Sequence, residues 1–175
     1  MALAPVVIGV DPGTQRTGYG VIAEQEGRTV ALDWGVISPQ PSLSLPDKLQ
    51  TIYAALQACL ETHRAGILAV EELFFAKNVR SAVTLAHARG VALLAAAVVG
   101  VEVVEYSPLE IKQAVVGYGR ADKHQVQTMV QVLLNLHGPL PAKDAADALA
   151  VALCHLHGRH LRAALDHPLA SRSRS

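Results

Sequence analysis

The chain has 175 residues, with 15 Lys and Arg balanced by 15 Asp and Glu, and it is 51% hydrophobic but only 4% aromatic. That fits one globular domain with a sizeable core and excludes a disordered chain; zero net charge leaves nucleic-acid binding without support from the total alone. No charged leader followed by an apolar stretch opens the chain, and the longest apolar run, residues 91–101, is shorter than the roughly 20 residues a membrane span needs.

Residues 6–10 form an apolar run that ends abruptly at Asp11 and is stopped by Pro12-Gly13. Strands are expected at 6–10, 19–24 and 29–37, joined by short turns such as Glu26-Gly27, so the first three form an antiparallel meander. Gly18 and Gly20 would let a backbone or ligand come close. After a proline-rich loop at 38–46 the period changes. Leu49, Ile52, Tyr53, Leu56, Cys59 and Leu60 share one helical stripe, predicting a helix over 46–63 that Gly66 ends.

Residues 67–71 repeat the first pattern, an apolar run ending in the carboxylate Glu71. A helix capped by Asn78 is expected to reach residue 99, with Gly100 breaking it before a fifth strand at 101–106. Ser107-Pro108-Leu109-Glu110 reads as a capping box, and Asp122-Lys123-His124-Gln125 as another helix start. The last helix is predicted over 143–157, ended by Gly158, followed by a disordered basic tail at 159–175. The expected class is α/β: a five-stranded mixed sheet, three antiparallel strands and then parallel additions, flanked by helices, with one domain over 1–158. Cys59 and Cys154 read as buried thiols of a reducing compartment, which places the chain in the cytoplasm.

Asp11 alone could simply cap its own turn. If the fourth strand lies parallel beside the first, however, Glu71 joins it at one sheet edge. Asp144 and Asp147, three residues apart, share a helix face. Aspartates at a helix start commonly only complement the dipole. Yet Asp147 lies within Ala145-Ala146-Asp147-Ala148-Leu149-Ala150, a stretch apolar enough to be buried, and a buried charge needs a partner. Four converging carboxylates repel one another, and hard cations such as magnesium or manganese relieve that repulsion. Two such ions about 3.5–4 Å apart form the clamp used in phosphodiester hydrolysis. Glu72 should point to the opposite face and is left out of the site. No Ser-His-Asp set, Cys-His set or phosphate loop is evident.

Lys77, Arg80, Lys112, Arg120, Lys123 and Lys143 fall beside loops and helix starts, and the tail carries further arginines. They form either a local basic face for phosphates or an ordinary solvated surface. The helix ending at residue 99 is apolar beyond one face, through Val83, Leu85, Val91, Leu94 and Val98. It serves as a core helix, an isologous dimer contact, or both.

Six motifs in order carry a family resemblance: Val10-Asp11-Pro12-Gly13, Thr17-Gly18-Tyr19-Gly20-Val21, Glu71 with Phe74-Phe75-Ala76-Lys77-Asn78, Ala88-Arg89-Gly90-Val91, Lys112-Gln113-Ala114-Val115-Val116-Gly117, and Asp144-Ala145-Ala146-Asp147-Ala148-Leu149-Ala150. Over residues 6–157 the chain resembles RuvC, the bacterial Holliday-junction resolvase family. The resemblance implies an RNase H-like nuclease domain and a homodimer that nicks opposed strands of a four-way DNA junction in recombination and repair, leaving 5′-phosphate and 3′-hydroxyl ends. It implies Asp11, Glu71, Asp144 and Asp147 as ligands of two magnesium (or manganese) ions per subunit, and Lys112 and Lys123 beside the scissile phosphate. It also implies that Phe74 contacts bases, that Lys77 and Arg80 contact the DNA backbone, and that a branch-migration motor is a partner; Arg120, from the basic face above, is a further candidate DNA contact. Other readings compete: an RNase H-like nuclease acting on RNA or hybrid, a non-catalytic junction binder, and the phosphate loop of actin-like ATPases. The last needs a second domain that 175 residues do not supply.

Overall fold

A computed structural model of the chain describes residues 5–72, 79–138 and 142–166. β1 (Val7–Asp11) pairs antiparallel with β2 (Thr17–Gln25), and β2 with β3 (Arg28–Ile37). Glu26 and Gly27 join β2 to β3 with φ of 52° and 74°. Two successive positive φ values match the right-handed twist of the flanking strands. Gly18 and Gly20 lie inside β2, so that strand starts earlier than its apolar run suggests. Next comes α1 (Leu45–Thr62), with the Asp47 N–H donating to the Ser44 side chain and Pro46 in its first turn. Ile52, Leu56 and Leu60, four residues apart, form its buried face. The helix stops at Thr62, where Arg64 takes φ 49°, so Gly66 follows the break instead of making it.

β4 (Ile67–Glu71) runs parallel beside β1, in register from Val7↔Ile67 to Val10↔Val70. α2 (Val79–Val99) then leads through Gly100, φ 81°, to β5 (Glu102–Tyr106), parallel to β4. The sheet order is β3-β2-β1-β4-β5, the mixed sheet expected. Both capping boxes form: Ser107 with Glu110 opens α3 (Pro108–Val116), and Asp122 with Gln125 opens α4 (Lys123–Leu133). α5 (Lys143–Asp166) does not end at Gly158. One interior glycine costs about 1 kcal/mol, and the good helix formers around it outweigh that. Residues 159–166, expected in a disordered tail, are therefore helical.

Strand alternation separates two cores. Val7, Ile22, Ile67 and Ala69 face Leu149 and Leu153 of α5, with α3 and α4 alongside. Ile8, Val10, Val21, Leu68 and Val70 face α1 and the alanines of α2. Cys154 belongs to the first core and Cys59 borders the second, so the sheet separates them. Burial pushes both thiols up to about 12, leaving them inert. Residues 81–99 of α2 are long and apolar enough to cross a membrane by length and composition, but Ala88, Ala92, Ala95 and Ala96 are buried in the domain.

Candidate active site

The β-strand period carries Asp11 and Glu71 to one place. Val10 and Val70 are register partners facing α1 and α2, so the next residue of each strand turns to the α5 side. α5 lies there at backbone contact. A Cβ at Gly9 would overlap the Ala148 carbonyl oxygen, and one at Gly18 the Asp144 carbonyl oxygen. Gly18 is also the ladder partner of Asp11. The start of α5, with Asp144 and Asp147, is thus pressed against the tip of β1.

The electrostatics register this convergence. The Asp11 carboxyl is pushed up to about 7, first by burial, then by the charges of Asp147, Glu71 and Asp144, with Lys123 opposing. Burial and Asp147 raise Glu71, against Lys123 and Lys112. Burial also raises Asp147, where Lys123 and Lys143 oppose the shift and Asp144 adds to it. Burial is the largest cause in all three, and the charges of Asp147, Glu71 and Asp144 on Asp11, of Asp147 on Glu71 and of Asp144 on Asp147 link the four carboxyls at one edge.

Cations surround it. Arg16 Nε donates to Asp144 Oδ2 at 2.6 Å, and Lys123 Nζ stands 3.7 Å from Asp147 Oδ2. Lys112 and Lys123 border a cavity of about 190 Å³ together with Glu71 and Asp147, over a floor of Ile111, Val126 and Val151. On the other side of Glu71 a cavity of about 220 Å³ is bounded by Asp11, Glu72 and Arg89. Arg89, its side chain only 12% exposed, pairs with Glu105 at 2.7 Å and points Nε at the Glu71 carbonyl oxygen, 3.5 Å away. The Glu72 N–H donates to the Tyr106 carbonyl, extending the β4–β5 ladder one residue, and Glu72 borders the second cavity but not the one lined by Lys112 and Lys123.

Among the described residues, no three carboxylate, imidazole or thiol groups close around one ion position as the side chains stand. Arg16 and Lys123 hold two of the four carboxylates instead. The donor chemistry is nevertheless uniform: carboxylate oxygens, mutually repelling, around a partly buried edge, which fits a hard divalent cation.

Of the residues singled out in the sequence, Asp11, Glu71, Asp144, Asp147, Lys112 and Lys123 are brought together. Arg120 is exposed between α3 and α4 and lines neither cavity. Phe74 and Lys77, and the cap residue Asn78, lie outside the described residues; Arg80 is described only as backbone of α2. Arg16 and Arg89 are neighbours of the carboxylates to which the sequence reading assigns no role. Arg89 stands in one of the six family motifs and is an arginine within the apolar body of a helix. Arg16 had no such signal, because its partner is 128 residues away.

A sheet in the order β3-β2-β1-β4-β5, with carboxylates on its two central strand tips and on the last helix, belongs to the RNase H-like nuclease class. Residues 7–155 match the family model described as crossover junction endodeoxyribonuclease RuvC, and the chain belongs to the RuvC family. The crossover junction endodeoxyribonuclease RuvC of Syntrophomonas wolfei is 49% identical over 160 residues, covering 91% of this chain and 93% of that protein. The protein of the same name from Heliobacterium modesticaldum is 52% identical over 152 residues, 87% of this chain and 94% of its own length. Among solved structures, Thermus thermophilus RuvC in complex with a Holliday junction substrate superposes with a TM-score of 0.85 at 34% identity, covering 90% of this chain and 96% of that one.

Proposed function

We propose that this chain is a crossover junction endodeoxyribonuclease that resolves Holliday junctions by hydrolysing phosphodiesters in two opposed strands, in recombination and repair. The observation that carries the reading is the edge where Asp11, Glu71 and the start of α5 converge, with Asp11 raised to about 7. Family membership supports the substrate: relatives 49% and 52% identical bear the crossover junction name.

Asp11, Glu71, Asp144 and Asp147 would hold magnesium or manganese, two ions per subunit. Such ions supply activation of a water and stabilisation of the leaving oxygen, giving 5′-phosphate and 3′-hydroxyl ends. The chain's own residues prepare the place. Pro12 and Gly13 stop β1 so that the Asp11 carboxyl stands at an open edge. Lys112 and Lys123 attract a phosphate to the mouth of the cavity shared with Glu71 and Asp147. Phe74 would stack on a base, and Lys77, Arg80 and Arg120 would meet the DNA backbone.

Two opposed nicks need two sites, which a homodimer supplies. The outer face of α2 suits it: Val83, Leu94 and Val98 are each more than half exposed, and a Cβ at Gly90 meets nothing within 4 Å. An isologous contact would cover this stripe. The family resemblance adds a branch-migration motor as a partner, and cytoplasmic DNA as the setting.

Cleavage of a synthetic four-way DNA junction, a linear duplex and an RNA–DNA hybrid in magnesium tests the reading. The junction should be cut far faster than the others, by paired symmetric nicks. Preferential cutting of the hybrid would favour an RNA-directed nuclease. Junction binding without cutting would leave a non-catalytic binder, which four converging carboxylates argue against.

A further inference from the structure

The Arg16–Asp144 pair, 2.6 Å, is the shortest ion pair among the described residues. Both ends spring from fixed backbone. The loop that carries Arg16 is closed on itself: the Gly13 N–H donates to Thr17 Oγ1 at 3.2 Å, and Thr17 Oγ1 donates to the Gly13 carbonyl at 2.7 Å. Thr17 is fully buried. At the other end, the Asp144 main chain is packed against Gly18. What remains free to move is the Arg16 side chain, 54% exposed.

Arg16 also borders a second space. A cleft of about 470 Å³ lies between the 13–16 loop and the first turns of α2, lined by Gly13, Thr14 and Gln15 on one wall and Ser81, Thr84 and Leu85 on the other. Among the described residues, no acidic one lines it. Hydroxyls, an amide and one guanidinium beside a carboxylate edge suit the phosphates and sugars of a nucleic-acid strand. Arginine is permanently charged and presents a fork that fits carboxylate and phosphate alike, so one side chain can serve either partner.

We propose that Arg16 is a displaceable counter-cation. It neutralises Asp144 in the ion-free protein, surrenders that carboxylate to a divalent ion, and then binds a phosphate of DNA lying in the cleft. The inference rests on the nuclease reading above and adds to it an order of events: ion loading releases the arginine that secures the strand. An arginine fixed permanently on Asp144 would weaken ion binding with no gain, whereas a transferable one couples ion occupancy to the grip on DNA.

The test uses the full chain and the variants Arg16→Gln and Arg16→Lys, in two measurements. The first is manganese titration by calorimetry without DNA. Removing an exposed competing cation should tighten binding about two- to fivefold in Arg16→Gln, while Arg16→Lys stays near wild type. The second is four-way-junction affinity, measured in calcium and again in EDTA. In calcium, Arg16→Gln should bind more weakly, with the log–log salt slope smaller by about one for the lost phosphate contact. In EDTA it should match wild type, because the arginine is then engaged with Asp144. Unchanged manganese affinity would sink the counter-cation role. Equal losses in calcium and EDTA would place Arg16 on DNA at all times and overturn the transfer. A wild-type chain that binds neither manganese nor junction would bring down the nuclease reading itself; normal wild-type behaviour with an indistinguishable Arg16→Gln would overturn only the inference.

Discussion

Toward α1 and α2, strands β1 and β4 present Ile8, Val10, Leu68 and Val70. Toward α5 the same two strands present Val7, Gly9 and Asp11, and Ile67, Ala69 and Glu71. One face is bulky and wholly apolar; the other tapers from apolar through small to charged as it nears the strand tips. The small residues let α5 settle at backbone contact, which brings Asp144 and Asp147 to the carboxylates instead of holding them a side chain's length away. Repulsion gathered there is destabilising, and the opposite core, where each large side chain contributes about 1.5–3 kcal/mol, offsets it. Both faces carry a core, but only the α5 face gathers the carboxylates at the strand tips, so each face can be broken separately.

The largest effect belongs to the charged tip. Asp11→Asn should cut junction cleavage in magnesium by more than the roughly 10- to 100-fold that outer-shell partners of a metal typically cost. Junction binding, measured by gel shift, should survive. Cleavage close to the wild-type rate would remove Asp11 from the site. On the opposite side, Val98→Asp places a charge on the outer stripe of α2, where Val98 is 57% exposed. Light scattering should then report a monomer where the proposed wild-type state is a dimer, and paired nicking should give way to rare single nicks. An unchanged dimer mass would move the interface elsewhere.

Two core substitutions set the faces against each other directly. Leu56→Ala opens a cavity under α1, where Leu56 is wholly buried, and should cost about 2–5 kcal/mol in urea unfolding. Cleavage by the folded fraction should stay near normal. Gly18→Ala puts a methyl group where the Asp144 carbonyl oxygen lies, and overpacking of that kind costs about 1–3 kcal/mol. It should also lower cleavage at temperatures where the protein is fully folded, because α5 must move outward with both aspartates. If both variants lost activity in proportion to stability alone, the division between the faces would fail.

Much of this arrangement was legible in the sequence because it rests on short-range physics. The strand at 67–71 was readable to the residue, since an apolar run and a terminal carboxylate bound it. The capping boxes at Ser107 and Asp122 needed only side chains three residues apart. The parallel placement of β4 beside β1 was inferred from what two strand-end carboxylates would need, and the ladder has it. What stayed hidden depends on distant contacts or on summed small terms. Arg16 and Asp144 meet only after the fold closes 128 residues of chain. Gly158 reads locally as a stop, but a single glycine's cost is smaller than the helix propensity around it.

The smallest expected effect is in the pH dependence of stability, and it comes from the charged face alone. Asp11 titrates at about 7 in the folded chain, against 3.8 for the ordinary carboxyl. Between those values the folded state keeps a proton that the unfolded chain has released. The stabilisation from Asp11 is therefore fully present below the unfolded value and is lost as pH rises through about 7. Three units correspond to about 4 kcal/mol at most. The site lies at an open edge and shares its charge among neighbours, so on the order of 1–3 kcal/mol is expected, a few degrees in Tm for a domain of this size. In EDTA, Asp11→Asn should melt close to wild type near about pH 4 and several degrees higher near about pH 8. Leu56→Ala should run parallel to wild type across the same range, because its face carries no shifted carboxyl. A constant Tm offset for Asp11→Asn would mean that the carboxylates do not share the edge of β1. A widening gap that magnesium then closes would tie the instability of that edge to the ions proposed for it.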